Sequence, residues 1–172
     1  LAAVEIGKAM GARVIAAASS AEKLQTAKAA GADELIDYSQ NSLKDEIKRL
    51  TGGKGVDVIY DPVGGDLFDQ AVRGLAWNGR LLVVGFASGR IPELPANLVL
   101  LKGAAVLGVF WGSFAQRQPA DNAANFQQLF AWFAEGKLKP LVSKTYPLAE
   151  AGVAIGELAG RKAVGKLVVT VR

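Results

Sequence analysis

Four short stretches put polar groups and glycines directly after apolar, β-rich runs. They are Ser19-Ser20-Ala21-Glu22-Lys23, Asp61-Pro62-Val63-Gly64-Gly65, Gly85-Phe86-Ala87-Ser88-Gly89 and Val109-Phe110-Trp111-Gly112. In an open parallel sheet the ligand crevice lies outside the carboxyl ends of the strands, so these are the positions from which a ligand could be reached. Three of the four carry glycine where a flat ligand or its phosphates would need close backbone approach. Taken singly, each such glycine reads better as a residue that simply turns a strand into a loop. The available chemistry is narrow, because the chain has no Cys and no His. Disulfides, thiolate nucleophiles, Ser-His triads and imidazole or sulfur zinc sites are thereby excluded from these residues. Carboxylates, amines, hydroxyls or a borrowed cofactor remain, and no metal site is expected.

The end of the second strand of a dinucleotide fold is the most discriminating of these positions. Folds that select NAD end that strand with an Asp or Glu that holds the ribose 2′-hydroxyl. Here the strand ends Ala17-Ala18-Ser19-Ser20, without an acid. A carboxylate would repel a 2′-phosphate, whereas two hydroxyls and the ammonium of Lys23 would accept one. Lys23 alone reads as a surface helix residue; together with the missing acid it favours NADP over NAD.

Two other patterns carry less. Gly52-Gly53-Lys54-Gly55 looks like a phosphate loop, but no Ser or Thr follows the lysine and a strand comes next, so it reads as a helix stop. Asp57, Asp61 and Asp66 are spread over strand, turn and helix and fix no common point. They read as strand acids and a helix N-terminal acid.

The elements that position these residues alternate between helix and strand, the sequence form of a parallel sheet covered on both faces. Residues 1 to 10 read as a small-residue helix ended at Gly11. A strand runs from Arg13 to Ala18, and a helix from 20 to 30 has Ser20 as its N-cap. Glu34 to Asp37 is extended. Ser42 to Thr51 is an amphipathic helix with Leu43, Ile47 and Leu50 on one face. A strand Val56 to Tyr60, a helix Asp66 to Leu75 and a buried strand Arg80 to Phe86 follow. Ile91 to Pro95 connects to a strand from Ala104 to Phe110. Beyond Trp111 the rhythm changes to a long aromatic helix (122 to 135), an extended run (141 to 146), a helix (148 to 158) and a closing strand (166 to 171). The expected domains are residues 1 to 111 for dinucleotide binding and residues 112 to 172 as a separate α+β portion.

Of the 172 residues, 51% are hydrophobic and 21% charged, which fits a globular chain. The net charge of +4 comes from Lys and Arg scattered among acids, so no nucleic-acid partner is expected. No apolar run approaches the ~18 to 20 residues of a membrane span, and no leader is visible, so a soluble, cytoplasmic protein with no membrane partner is expected. The chain opens at Leu1 in mid-pattern, without an initiator Met or a helix cap, as a fragment would.

The run LAAVEIGKAMGARVIAAASSAEKLQTAKAAGADELIDYSQ, followed by GVDVIYDPVGGDLFDQAVRGLAWNGRLLVVGFASG, resembles the nucleotide-binding domain of medium-chain dehydrogenase/reductases. LVLLKGAAVLGVFWGSF and GRKAVGKLVVTV are similar to the zinc-free NADPH:quinone oxidoreductase branch. The resemblance implies a Rossmann-like doubly wound sheet that lacks its first strand and glycine-rich turn, with the tail belonging to a catalytic domain that otherwise precedes it. It implies Ser19, Lys23 and Tyr38 around an adenosine 2′-phosphate, and Val63 and the loop Gly85, Phe86 and Ser88 along the dinucleotide. Phe110 and Trp111 would flank the nicotinamide, and Arg161 would approach from the tail. The implied activity is hydride transfer from NADPH to a quinone or another conjugated carbonyl. The implied assembly is a homodimer through the strand near Ala104 to Phe110. An enoyl-thioester reductase of the same superfamily, and a non-catalytic nucleotide-binding or oligomerisation module, are the alternatives.

Overall fold

The computed structural model describes residues 1–160 and 163–171. The chain is α/β. Its elements are α1 (Ala2–Ala9), β1 (Ile15–Ala18), α2 (Ala21–Ala29), β2 (Glu34–Asp37), α3 (Leu43–Leu50), β3 (Val56–Asp61), α4 (Gly65–Gly74) and β4 (Leu75–Val83). They continue with α5 (Ala96–Lys102), β5 (Ala105–Gly108), α6 (Trp111–Arg117), α7 (Pro119–Ala134), β6 (Val142–Pro147), a 3-10 turn (Leu148–Glu150), α8 (Ala151–Ala159) and β7 (Lys166–Thr170). The strands form three ladders: β1-β2, β3-β4-β5 and β6-β7. β3-β4-β5 and β6-β7 are parallel, as the strand-helix alternation requires. Among the described residues no helix is long and apolar enough to cross a membrane.

Two compact units are present. One comprises Leu1–Ala16, Ser20–Leu35 and Gln128–Arg172. Its core contains Val4, Ala27 and Ala32, with Val14, Ala16, Ala30 and Leu35 packed against them. Ser20 caps α2, its hydroxyl accepting from the Lys23 amide. Asp33 ties α1 to the start of β1: its carboxylate accepts from Lys8 Nζ at 2.9 Å and from the Val14 amide at 2.6 Å. The Lys8 ammonium and the Val14 amide together hold that carboxyl below its ordinary value. Further along, the Tyr146 ring is buried under Lys144, whose ammonium sits 4.8 Å from the ring centroid and 2.6 Å from Glu157. Hydrogen bonding to Glu157 first, and the Tyr146 side chain second, raises the Lys144 pKa.

The other unit comprises Ala17–Ser19 and Ile36–Gln127. α3 buries Leu43 and Ile47, and α4 buries Phe68, Ala71 and Val72, each at helical spacing. The two helices meet closely at Gly74, where an added Cβ would lie 2.7 Å from Ile47 Cδ1. Beneath them Leu75 and Leu81 of β4 are fully buried. Ser42 caps α3, and Glu46 grips Arg49 at 2.7 Å on its outer face.

Several boundaries differ from the sequence reading. β4 begins at Leu75 rather than Arg80 and ends at Val83, so Gly85 and Phe86 stand in a loop and not in the strand. The strand carries Asn78-Gly79 as an irregularity: Asn78 adopts φ 59° and the register with β3 shifts between Val56 and Val58. β5 is confined to Ala105–Gly108, and two seven-residue helices, α5 and α6, occupy stretches to which the sequence reading assigned no element.

Candidate active site at the strand ends

Three parallel strands end on one edge. Asp61 stands opposite Val83, and Val83 opposite Gly108. The pairing runs one step past the strands on each side, with the Val84 amide donating to the Asp61 carbonyl at 2.9 Å and the Val109 amide to the Val83 carbonyl at 2.8 Å. Pro62 to Gly65, Val84 to Arg90 and Val109 to Trp111 therefore leave the same edge as neighbours, which is where a parallel sheet binds its ligand.

The first two of these loops are joined along their length. The Ala87 amide donates to the Pro62 carbonyl at 3.1 Å, the Ser88 amide to Val63 at 2.9 Å, and the Gly65 amide to Arg90 at 3.1 Å. This junction explains the glycines. Gly64 has φ 68° and ψ −151°, a conformation closed to other residues, and an added Cβ there would lie 3.0 Å from Phe86 Cδ1 and 3.1 Å from the Arg90 carbonyl. At Gly65 it would meet Ser88 Oγ at 2.7 Å, and at Gly85 the Pro62 carbonyl at 3.3 Å. The close approach that these glycines permit is thus between the two loops.

Asp61 closes β3 and is buried. Its Oδ1 accepts from the Val63 amide at 2.8 Å and the Gly64 amide at 3.0 Å. At the far end of the second loop the Arg90 guanidinium reaches α4, 2.6 Å from Asp69 and 2.9 Å from Asp66. Hydrogen bonding to Asp69, and then to Asp66, raises its pKa and keeps it a cation. Neither Asp61 nor Arg90 is among the site residues expected from sequence. The available signal was an Asp directly before Pro-Val-Gly-Gly, the pattern of an Asx turn.

The expected site residues fall as follows. Val63, Gly85, Phe86 and Ser88 lie in the joined loops, with Phe86 41% exposed. Phe110 is the N-cap of α6 and Trp111 its first residue; both rings are largely exposed. Trp111 is held by its indole N–H, which donates to Asn122 Oδ1 at 3.1 Å, and by an edge-to-face contact with Phe126 at 6.5 Å. Ser19 is exposed directly beyond β1, and Tyr38 is half-buried directly beyond β2, its amide donating to the Ala18 carbonyl at 3.1 Å. Lys23 is half-buried in the first turn of α2. Arg161 lies outside the described residues. Asp57 is exposed and Asp66 sits in the first turn of α4. Among the described residues no three of His, Cys, Asp or Glu gather as a metal would require.

The family described as zinc-binding dehydrogenase matches residues 1–135. A quinone oxidoreductase-like protein 2 of Bos taurus is 39% identical over 161 residues, 94% of this chain and 46% of that protein. The crystal structure of an NAD-dependent alcohol dehydrogenase superposes with a TM-score of 0.84 at 37% identity, covering 99% of this chain and 47% of that one. The Escherichia coli quinone oxidoreductase complexed with NADPH gives 0.83 at 30% identity, covering 98% and 52%. The chain spans about half the length of the relatives it matches. With parallel strands ending in joined loops and this degree of likeness along its length, the chain belongs to the zinc-binding dehydrogenase family of medium-chain dehydrogenase/reductases, in the quinone oxidoreductase branch.

Proposed function

We propose that this chain is the cofactor-binding portion of an NADPH-dependent reductase that acts on a quinone or another conjugated carbonyl. The observation that carries the reading is the single edge on which β3, β4 and β5 end, with Val63, Gly85, Phe86, Ser88, Phe110 and Trp111 leaving it together. The exposed aromatic rings of Phe110 and Trp111 suit the flat nicotinamide, and the backbone of the two joined loops suits the extended body of the dinucleotide. Ser19, Lys23 and Tyr38 are assigned to the 2′-phosphate, on the ground that no carboxylate ends β1. Arg161 is assigned to the cofactor's tail side. When bound, the cofactor supplies a hydride from its nicotinamide C4; this chain's residues bind and orient it.

Residues 1 to 111 form the dinucleotide-binding domain in this reading, and residues 112 to 172 belong with the catalytic domain. The residues present do not fit a zinc site, and no step here involves one. β5 lies at the end of the β3-β4-β5 order, so its outer edge is open to a second copy, and a homodimer through that edge goes with the reading. Leu107→Lys would then shift the full-length protein from dimer towards monomer by light scattering; an unchanged dimer would count against this edge.

The function is tested by titrating the full-length protein with NADPH and NADH and assaying quinone reduction. Lys23→Ala should weaken NADPH by roughly 10-fold or more, the worth of a charge-assisted contact, while NADH changes little. Equal loss for both cofactors, or no quinone turnover by the unsubstituted protein, would remove the reading.

A further inference from the structure

Asp61 is the one buried charged side chain among the described residues, 6% exposed. A carboxylate is costly to bury unless hydrogen bonds compensate it, and here only one of its oxygens is compensated. Oδ1 takes the Val63 and Gly64 amides, while Oδ2 is buried with no partner among the described residues. Oδ2 is closed off from solvent and Oδ1 is taken by the two amides, so the group is turned inward. Its two bonds instead fix the turn that opens the loop from Pro62 to Gly65. The same residue's carbonyl accepts from Val84, the first residue of the second loop. From there the Ala87, Ser88 and Gly65 amides tie the two loops together at 2.9 to 3.1 Å. The missing Cβ atoms of Gly64, Gly65 and Gly85 leave no slack between them. A displacement of the Pro62 turn therefore carries Phe86 and Ser88 with it.

We propose that Asp61 is a positioning residue for the dinucleotide: through the turn it caps, it sets the placement of both cofactor loops, and so governs cofactor affinity without touching the cofactor. The proposal rests on the NADPH reading above.

The test uses the full-length protein, with Asp61→Ala and Asp61→Asn. Amide hydrogen exchange is measured without cofactor, and kcat and KM for NADPH are measured with a quinone. In Asp61→Ala, protection should fall at Val63 and Gly64 and also at Ala87 and Ser88, whose amides donate to the Pro62 and Val63 carbonyls. KM for NADPH should rise about tenfold or more, with kcat at saturating NADPH within about threefold. Asp61→Asn keeps the Oδ1 acceptor and should restore both protection and KM to within about threefold. The proposal is overturned if Asp61→Ala leaves exchange at Ala87 and Ser88 unchanged, or if its KM stays at the original value. It is equally overturned if folded Asp61→Asn shows a KM raised about tenfold or more, because the charge itself would then be acting on the cofactor. Absence of NADPH binding by the unsubstituted protein would instead sink the cofactor reading, and the exchange at Ala87 and Ser88 would still decide whether Asp61 orders both loops.

Discussion

The Arg90 guanidinium lies 2.6 Å from the Asp69 carboxylate, joining the end of the loop after β4 to the second turn of α4. The same residue's carbonyl accepts the Gly65 amide at 3.1 Å, so side chain and backbone close one junction from two directions. Asp66, at 2.9 Å, adds a second carboxylate to the guanidinium.

This latch is exposed, and exposed ion pairs contribute little to stability. Its expected effect is local. Arg90→Ala in the full-length protein should lower the Tm by no more than about 2 to 4 °C. It should raise the KM for NADPH by roughly three- to tenfold, as the loop from Gly85 to Ser88 loses its far anchor. A large Tm loss would show that the latch supports the fold, and an unchanged KM that loop order does not depend on it.

Two neighbouring glycines separate backbone strain from packing. Gly53 and Gly55 have φ of 85° and 83°, and both follow α3. A Cβ at Gly53 meets nothing within 4 Å, whereas at Gly55 it would lie 2.6 Å from the Ala76 amide nitrogen and the Gly74 carbonyl. Gly53→Ala should therefore cost only the left-handed conformation, about 1 to 2 kcal/mol. Gly55→Ala adds a clash with backbone that cannot rotate away, about 1 to 3 kcal/mol more. Denaturant midpoints for the two variants decide the matter; equal losses would mean that β4 shifts freely at Ala76.

Much of the element order was legible because its signals are local. Leu43, Ile47 and Leu50 recur at helical spacing, Ser20 caps α2 as expected, and Ser42, read as the first residue of its helix, caps α3. α5 and α6 were missed for an equally physical reason: each has seven residues, lacks a side-chain cap and follows a residue, Pro95 or Phe110, that signals no start. The start of β4 was hidden because Asn78-Gly79 carries turn chemistry that only pairing with β3 overrides. At the site, the strand-end loops could be listed from sequence, but their junction could not. That Gly64 faces Phe86 and Arg90 depends on two loops about 20 residues apart meeting at one edge, and no local pattern records it.

The Asp33 carboxyl should make stability depend on acid. Its pKa is depressed in the folded state by Lys8 and the Val14 amide. A depressed carboxylate stabilises the fold fully above its unfolded value, about 4, and that contribution disappears as pH falls through the lower folded value. Asp33→Asn should therefore lower the denaturant midpoint of the full-length protein at pH 7. The gap between variant and parent should narrow as pH falls below about 4. A gap that stays constant down to pH 3 would mean that Asp33 acts by shape and not by charge.

Trp111 offers the sharpest separation of substrate from cofactor. Its indole N–H is fixed by Asn122 at 3.1 Å and its ring by Phe126 at 6.5 Å, yet 61% of the residue remains exposed beyond β5. A ring held by its polar edge and one side, with the rest open, is arranged to receive a flat partner at low entropic cost. Asn122→Ala removes the hydrogen bond while leaving the ring in place, and a neutral bond of this kind contributes about 0.5 to 1.5 kcal/mol. Applied to nicotinamide orientation, that amounts to a rise of roughly two- to tenfold in the KM for NADPH, with the KM for quinone held within about twofold. Asn122→Asp keeps an acceptor at the same point and should recover the original NADPH KM. If Asn122→Ala instead raises the quinone KM alone, Trp111 packs against the substrate and not the cofactor; if neither constant moves, Trp111 stands outside the site.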